Sequence, residues 1–234
     1  MRALGVTSED KLIFKTDNAK SMTLSDWSRD GKYLVFVADN DIFALRVTQD
    51  PKTSEWSAEG KPIPVTKTSF TETLPRISPD NRWIAYVSNQ STRDEVWIRS
   101  FPDPGTEQQV SSGAGRNSTV AQAFPHWSFG GREVYYFNGM GGSPQFMSVS
   151  VTPAGTSLNA SAPQLLLPHP AARPPFTSAF NVTRDGRFLF QLAPIAGTSI
   201  TTGTNTATTA AGATNGVATA TIITNWAAKT RKTE

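Results

Sequence analysis

The sequence predicts an all-β fold of repeated antiparallel sheets, and three observations predict it. First, four segments align. They are Asp26-Trp27-Ser28-Arg29-Asp30-Gly31-Lys32-Tyr33, Arg76-Ile77-Ser78-Pro79-Asp80-Asn81-Arg82-Trp83, His126-Trp127-Ser128-Phe129-Gly130-Gly131-Arg132-Glu133 and Asn181-Val182-Thr183-Arg184-Asp185-Gly186-Arg187-Phe188. Their hydroxyl residues stand at 28, 78, 128 and 183, spacings of 50, 50 and 55. A fixed period of this length marks a repeat architecture. Second, each turn is followed by a run of aromatic and β-branched residues, which strands prefer. Third, no segment holds a 3.6-residue apolar period with caps, so helical solenoids are excluded.

Each copy opens with a short strand that ends at the Ser or Thr. The pairs Asp-Gly, Asp-Asn or Gly-Gly that come next tolerate the positive φ of a tight hairpin. The aspartates Asp30, Asp80 and Asp185 recur at one turn position, where a carboxylate bonds nearby backbone. The second strand, as in Tyr33-Leu34-Val35-Phe36-Val37, is apolar on both faces. A half-exposed strand would alternate, so both faces of these sheets are expected to be covered. Third strands follow at 41–47, 95–101 and 145–151, and shorter fourth strands at 63–66, 107–110 and 164–167. Four strands in about 50 residues match the blade of a β-propeller. Trp27, Trp83, Trp97 and Trp127 are expected between blades. Trp56 lies in the polar stretch 50–60 and reads as a candidate contact residue.

The turns at 28–31, 78–81 and 183–186 and the strand Asp94-Glu95-Val96-Trp97-Ile98 resemble the PD40 (WD40-like) repeat of TolB-like propellers. Three further stretches are similar to the C-terminal propellers of bacterial serine/threonine kinases and related sensors. These are the run 93–102, the Asp26-Trp27-Ser28 start and the closing Ile222-Ile223-Thr224-Asn225-Trp226. The resemblance covers about residues 10–195 and 217–228. It implies blades at 21–68, 69–113, 114–169 and 170–228, and a basic tail at 229–234. It makes residues 1–20, through Lys11-Leu12-Ile13-Phe14-Lys15, the outer strand of a preceding blade. Residues 195–221, nearly all Thr, Ala, Gly, Asn and Ile, read as a flexible surface loop longer than the resemblance implies, with a glycosylated or adhesive segment as the alternative. Two arrangements follow. The chain is a segment of a larger propeller, the favoured reading. Alternatively, a four-bladed ring closes by pairing strand 11–15 with strand 217–224. An open arc would leave edges and faces exposed and invite self-association.

Composition narrows the function. Of the 234 residues 38% are hydrophobic and 18% charged, and none is cysteine. Disulfides, thiolate metal sites and cysteine nucleophiles are excluded. Apolar runs such as Ile84-Ala85-Tyr86-Val87 fall far short of the roughly 20 residues of a membrane span. The start Met1-Arg2-Ala3-Leu4-Gly5 lacks an apolar signal core. A complete chain of this kind is expected in the cytoplasm, and a piece of a longer signalling protein could belong to the periplasm. Residues 1–110 carry 14 Lys and Arg against 16 Asp and Glu, and residues 111–234 carry 8 against 3. No dense basic stripe results, so nucleic acid is not an expected partner. The two histidines, His126 and His169, form no H-E-x-x-H. There is no G-x-S-x-G and no kinase signature, and Gly139-Met140-Gly141-Gly142 lacks the lysine of a phosphate loop. No enzymatic activity, cofactor or metal is therefore expected.

One set of positions points to binding. The residue two before each turn hydroxyl is Asp26, Arg76, His126 and Asn181, polar in all four repeats and different in each. The first strand of a blade lines the central channel. A structural position would repeat one residue, whereas a position facing an asymmetric partner would vary. A mixed ring of this kind suits a small ligand or a peptide end, with Arg76 as the anion anchor. The alternative is that these groups merely solvate a wet channel, with His126 buried. The expected role is a non-enzymatic binding or sensor module for a protein, peptide or small ligand. The resemblance implies the sensory propeller of a bacterial signalling protein. The alternatives are a non-catalytic gating propeller of a prolyl-oligopeptidase-type peptidase and a truncated propeller with no independent activity.

Overall fold

The computed structural model describes residues 12–16, 19–112, 123–138, 145–168, 180–192 and 219–223. All regular structure among them is β-strand, arranged in four antiparallel sheets that follow one another along the chain. The first sheet runs β1 (Met22–Trp27), β2 (Tyr33–Ala38), β3 (Asp41–Gln49), with β4 (Trp56–Ala58) and β5 (Ile63–Pro64) both on β3. The second is β6 (Glu72–Ile77), β7 (Trp83–Ser88), β8 (Glu95–Ser100), β9 (Glu107–Gln109). The third is β10 (Ala123–Trp127), β11 (Glu133–Asn138), β12 (Gln145–Ala154), with β13 (Ser157–Ala160) and β14 (Gln164–Pro168) on β12. The fourth is β15 (Phe180–Val182), β16 (Phe188–Leu192), β17 (Thr219–Ile223).

The sheets stack face to face, and apolar side chains fill each gap. Tyr33, Val35, Ile42 and Ala44 of the first meet Ile77, Ile84, Tyr86 and Phe101 of the second. Trp83, Ala85, Val96 and Ile98 meet Trp127, Val134, Tyr136 and Val149. Between the third and fourth sheets the filling is aromatic: Tyr135, Phe137 and Phe146 against Phe180 and Phe188, with Phe146 edge-on to Phe180 at 4.8 Å and to Phe188 at 5.0 Å. Each such side chain removed from water contributes about 1.5–3 kcal/mol. Strand β7 is buried along its whole length, as a strand covered on both faces must be.

The repeated turns are side-chain-locked. Ser28 Oγ donates to Asp30 at 2.7 Å and accepts the Tyr33 N–H at 2.8 Å, while Asp30 accepts the Lys32 N–H at 3.1 Å. Ser78, Asp80, Arg82 and Trp83 repeat this network, and in the fourth turn Thr183 donates to Asp185 and accepts the Arg187 N–H. The third turn has Gly130 where the others have Asp, and Ser128 Oγ alone accepts from Arg132 and Glu133. Only the last residue of each turn is left-handed: Gly31, Asn81, Gly131 and Gly186, with φ between 59° and 77°. The positive φ that these pairs tolerate thus falls on their second residue, within loops that run from Trp27 to Tyr33 and from Ile77 to Trp83.

Three readings are corrected. Residues 12–16 are not a strand; Ile13 and Phe14 lie on the outer face of the first sheet, Phe14 5.8 Å from Phe36. They do not pair with β17, which joins β16 as a third strand and starts inside the stretch read as loop. Trp56 is half-buried in β4, edge-on to Trp27 at 4.8 Å. Strands β4 and β13 arise because β3 and β12 run past their sheets and fold back as hairpins. The remaining parts of the low-complexity stretch and the basic tail lie outside the described residues.

Candidate functional site: the first strands and the turn rim

The first strands of the sheets, β1, β6, β10 and β15, lie side by side in that order. Asp26, Arg76, His126 and Asn181 occupy one register, paired with Val35, Ala85, Tyr135 and Leu189 of the second strands. In β1, β6 and β10 a bulge falls just before the polar residue. In β6 and β10 it contains a left-handed residue and then a proline: Leu74 (φ 54°) before Pro75, and Phe124 (φ 59°) before Pro125. Bulky side chains rarely adopt this conformation. A bulge of this kind re-aims the side chains that follow it, here Arg76 and His126.

Three of the four residues are coupled. Asp26 accepts the Ile77 N–H of the next sheet at 2.7 Å and the Trp27 N–H at 2.9 Å. Arg76 donates back to the Ser25 carbonyl in the β1 bulge, and its own carbonyl accepts the Trp127 indole N–H at 2.9 Å. Burial raises the Asp26 carboxyl above the usual range, opposed by its two backbone bonds and by the Arg76 and Arg29 charges. Burial, with the nearby Arg76 charge, pushes the His126 imidazole down to about 4, so it is neutral at pH 7. Its ring sits 4.7 Å from Phe180, which links it to the fourth sheet. Asn181 is exposed; the β15 side chain that reaches His126 is its neighbour Phe180.

A second cluster, not anticipated from sequence, stands at the turn end of these strands. Arg29 of the first turn donates to the Phe129 carbonyl of the third at 3.1 Å and stacks over its ring at 4.0 Å. Arg184 of the fourth turn lies over the same ring at 5.1 Å. Phe129 is nevertheless 41% exposed. Among the described residues no carboxylate comes within ion-pair distance of Arg29, Arg76 or Arg184. Beneath Phe129 and Arg184, between the third and fourth sheets, a cavity of about 210 Å³ is lined by Tyr135, Leu166 and Phe188 and bordered by Glu133. The signal was legible. The second turn residue reads Arg29, Pro79, Phe129 and Arg184, varied around the repeat with arginine twice.

Face-to-face antiparallel blades with adjacent first strands and turns gathered at one end define a β-propeller module. Among solved structures the chain is similar to TolB from Acinetobacter baumannii, at 15% identity over 76% of this chain and 39% of that one, with a TM-score of 0.48. It is also similar to the periplasmic gluconolactonase PpgL of Pseudomonas aeruginosa (18%, 75% and 48%, TM-score 0.46). A third likeness is to the β-propeller domain of the Trilobed protease from Pyrococcus furiosus (17%, 74% and 49%, TM-score 0.39). The chain spans about half or less of the length of these proteins. No protein-family profile and no curated protein matches the sequence.

Proposed function

We propose that this chain is a non-enzymatic recognition module whose turn-end rim takes an acidic peptide segment of a partner protein. The observation that supports it is the meeting of Arg29 and Arg184 over one half-exposed ring, with Arg76 deeper among the first strands and, among the described residues, no carboxylate within ion-pair distance of any of the three. Two guanidiniums on one ring repel each other, and a carboxylate between them relieves that repulsion and accepts their N–H groups. The neighbouring cavity between the third and fourth sheets has room for one apolar side chain of the ligand. Asp26 and His126 stand next to Arg76 and set the polarity deeper in. The role fits the sensory propeller of a bacterial signalling protein, a setting supported by resemblance alone.

Fluorescence anisotropy with a peptide pool rich in Asp and Glu, against the same pool with Asn and Gln in their place, tests the reading. Binding is expected to favour the acidic pool, and Arg29→Ala or Arg184→Ala to weaken it by about tenfold each. Equal binding of both pools, or none, overturns the assignment. Turnover of a sugar-acid lactone that disappears in Asp26→Asn or His126→Gln would replace it with an enzymatic one.

A further inference from the structure

In the first two blades the second strand opens with an aromatic side chain that plugs the gap to the next blade. These are Tyr33 and Trp83, 7% and 3% exposed. Tyr33 meets Phe101 of the second sheet edge-on at 5.3 Å, and Trp83 packs with Trp127 and its neighbours in the third. The third blade has Glu133 at this position. The backbone fixes the equivalence: the Ser28, Ser78 and Ser128 N–H groups donate to the carbonyls of Tyr33, Trp83 and Glu133 in turn. Glu133 alternates along its strand with Tyr135 and Phe137, which face the fourth sheet. It therefore stands where the plug would stand, and there the cavity of about 210 Å³ opens. The turns beside it are also spread. A Cβ on Gly131 would lie 3.3 Å from Pro79 of the preceding turn, whereas one on Gly186 would meet nothing within 4 Å.

The walls define what can refill this space. Tyr135 and Phe188 stand edge-on at 4.9 Å, Leu166 adds an aliphatic wall, and Phe129 forms the lip. An aromatic ring gains most from such surroundings. Glu133 adds a polar requirement. One of its oxygens accepts the Tyr135 hydroxyl at 2.6 Å, and the other has no partner among the described residues. A wholly apolar occupant would shut water away from that oxygen and give nothing in return. A phenol in the same space donates its O–H to the carboxylate, a short charge-assisted bond. A lysine side chain is disfavoured, because the Arg184 guanidinium borders the same cavity.

We propose that this cavity takes the side chain of a tyrosine that stands close to an Asp or Glu in the bound segment. Its ring sits where Tyr33 and Trp83 sit in the earlier gaps, and its hydroxyl donates to Glu133. The inference rests on the rim reading for the acidic part of the ligand and adds the residue that accompanies it.

The test is fluorescence anisotropy with four short labelled peptides of Asp, Glu and Gly that differ at one central residue, Tyr, Phe, Leu or Ala. A fifth peptide keeps the Tyr and carries Asn and Gln for Asp and Glu. The Tyr peptide is expected to bind about tenfold tighter than the Ala peptide and about fivefold tighter than the Phe peptide. Glu133→Trp restores the plug of the second blade. It should bind the four acidic peptides alike while still preferring them to the fifth. Leu166→Trp fills the cavity from another wall and should do the same, so the test stands if either variant folds. Equal affinity of the wild-type chain for all four, with the acidic preference intact, overturns the pocket and spares the rim. A Tyr preference that survives the Trp variants also overturns the pocket. Phe binding as tightly as Tyr overturns the contact with Glu133. A Tyr preference lost in the Trp variants, with no preference for Asp and Glu, supports the pocket and overturns the rim. No binding of any peptide overturns both.

Discussion

At the residue scale, Asp26 and His126 couple the channel strands to pH with opposite signs. An unfolded imidazole takes its proton near 6.5, whereas native His126 waits until about 4. Between those values the unfolded chain binds more protons. The stability this contributes is complete above pH 6.5 and lost as pH falls toward 4, about 3 kcal/mol in all. His126→Gln should flatten that slope in urea titrations between pH 7 and 4.5. Asp26 is raised instead, so the native state takes that proton first, and stability gains as pH falls through the window just above 3.8. Asp26→Ala strands the Ile77 N–H and should cost about 1–3 kcal/mol of unfolding free energy. The sequence identified these positions by their variation around the repeat. It could not reveal that Asp26 and Arg76 also tie one first strand to the next, because those bonds join residues one blade apart.

At the scale of single elements, the third turn is an experiment left by the sequence. Gly130 lacks the carboxylate that Asp30, Asp80 and Asp185 supply; its φ is not left-handed, and a Cβ there would meet nothing within 4 Å. Gly130→Asp should restore the bond from Ser128 and the acceptor for Arg132, raising stability by about 0.5–1.5 kcal/mol in thermal or denaturant unfolding. Trp127→Ala removes a buried ring from the gap between second and third sheets, together with its bond to the Arg76 carbonyl. A loss of about 3–5 kcal/mol is expected by the same measurement. Turn and strand positions were legible because their chemistry is local: Ser, Asp and Gly at fixed offsets, then β-branched runs. Strands β4 and β13 were not, since Trp56-Ser57-Ala58 and Ser157-Leu158-Asn159-Ala160 become strands only through the overhanging ends of β3 and β12. The bulges were half-legible. Leu74-Pro75 and Phe124-Pro125 put a proline inside a strand, which points to an edge or a bulge.

For the whole molecule, packing between blades is graded along the stack. The second and third sheets are packed on both faces, and the first and fourth each on one by a neighbouring blade. Hydrogen exchange read by mass spectrometry should find the slowest amides in β7 and β11, with β2 and β16 opening earlier. Equal protection in all four sheets would mean the outer faces are covered as well. The blade count and order were legible from the period alone. The disposition of the chain ends was not, because whether an apolar row is covered depends on what stands opposite it.

Arg29 reaches from the first blade past the second to the third. It acts as a chord across an arc, and a chord fixes curvature. A ligand that draws this guanidinium off Phe129 cuts the chord and leaves the angle between blades to the packing of their faces. If the rim takes a peptide as proposed, its occupancy and the spacing of the first and third blades would be coupled through this one side chain.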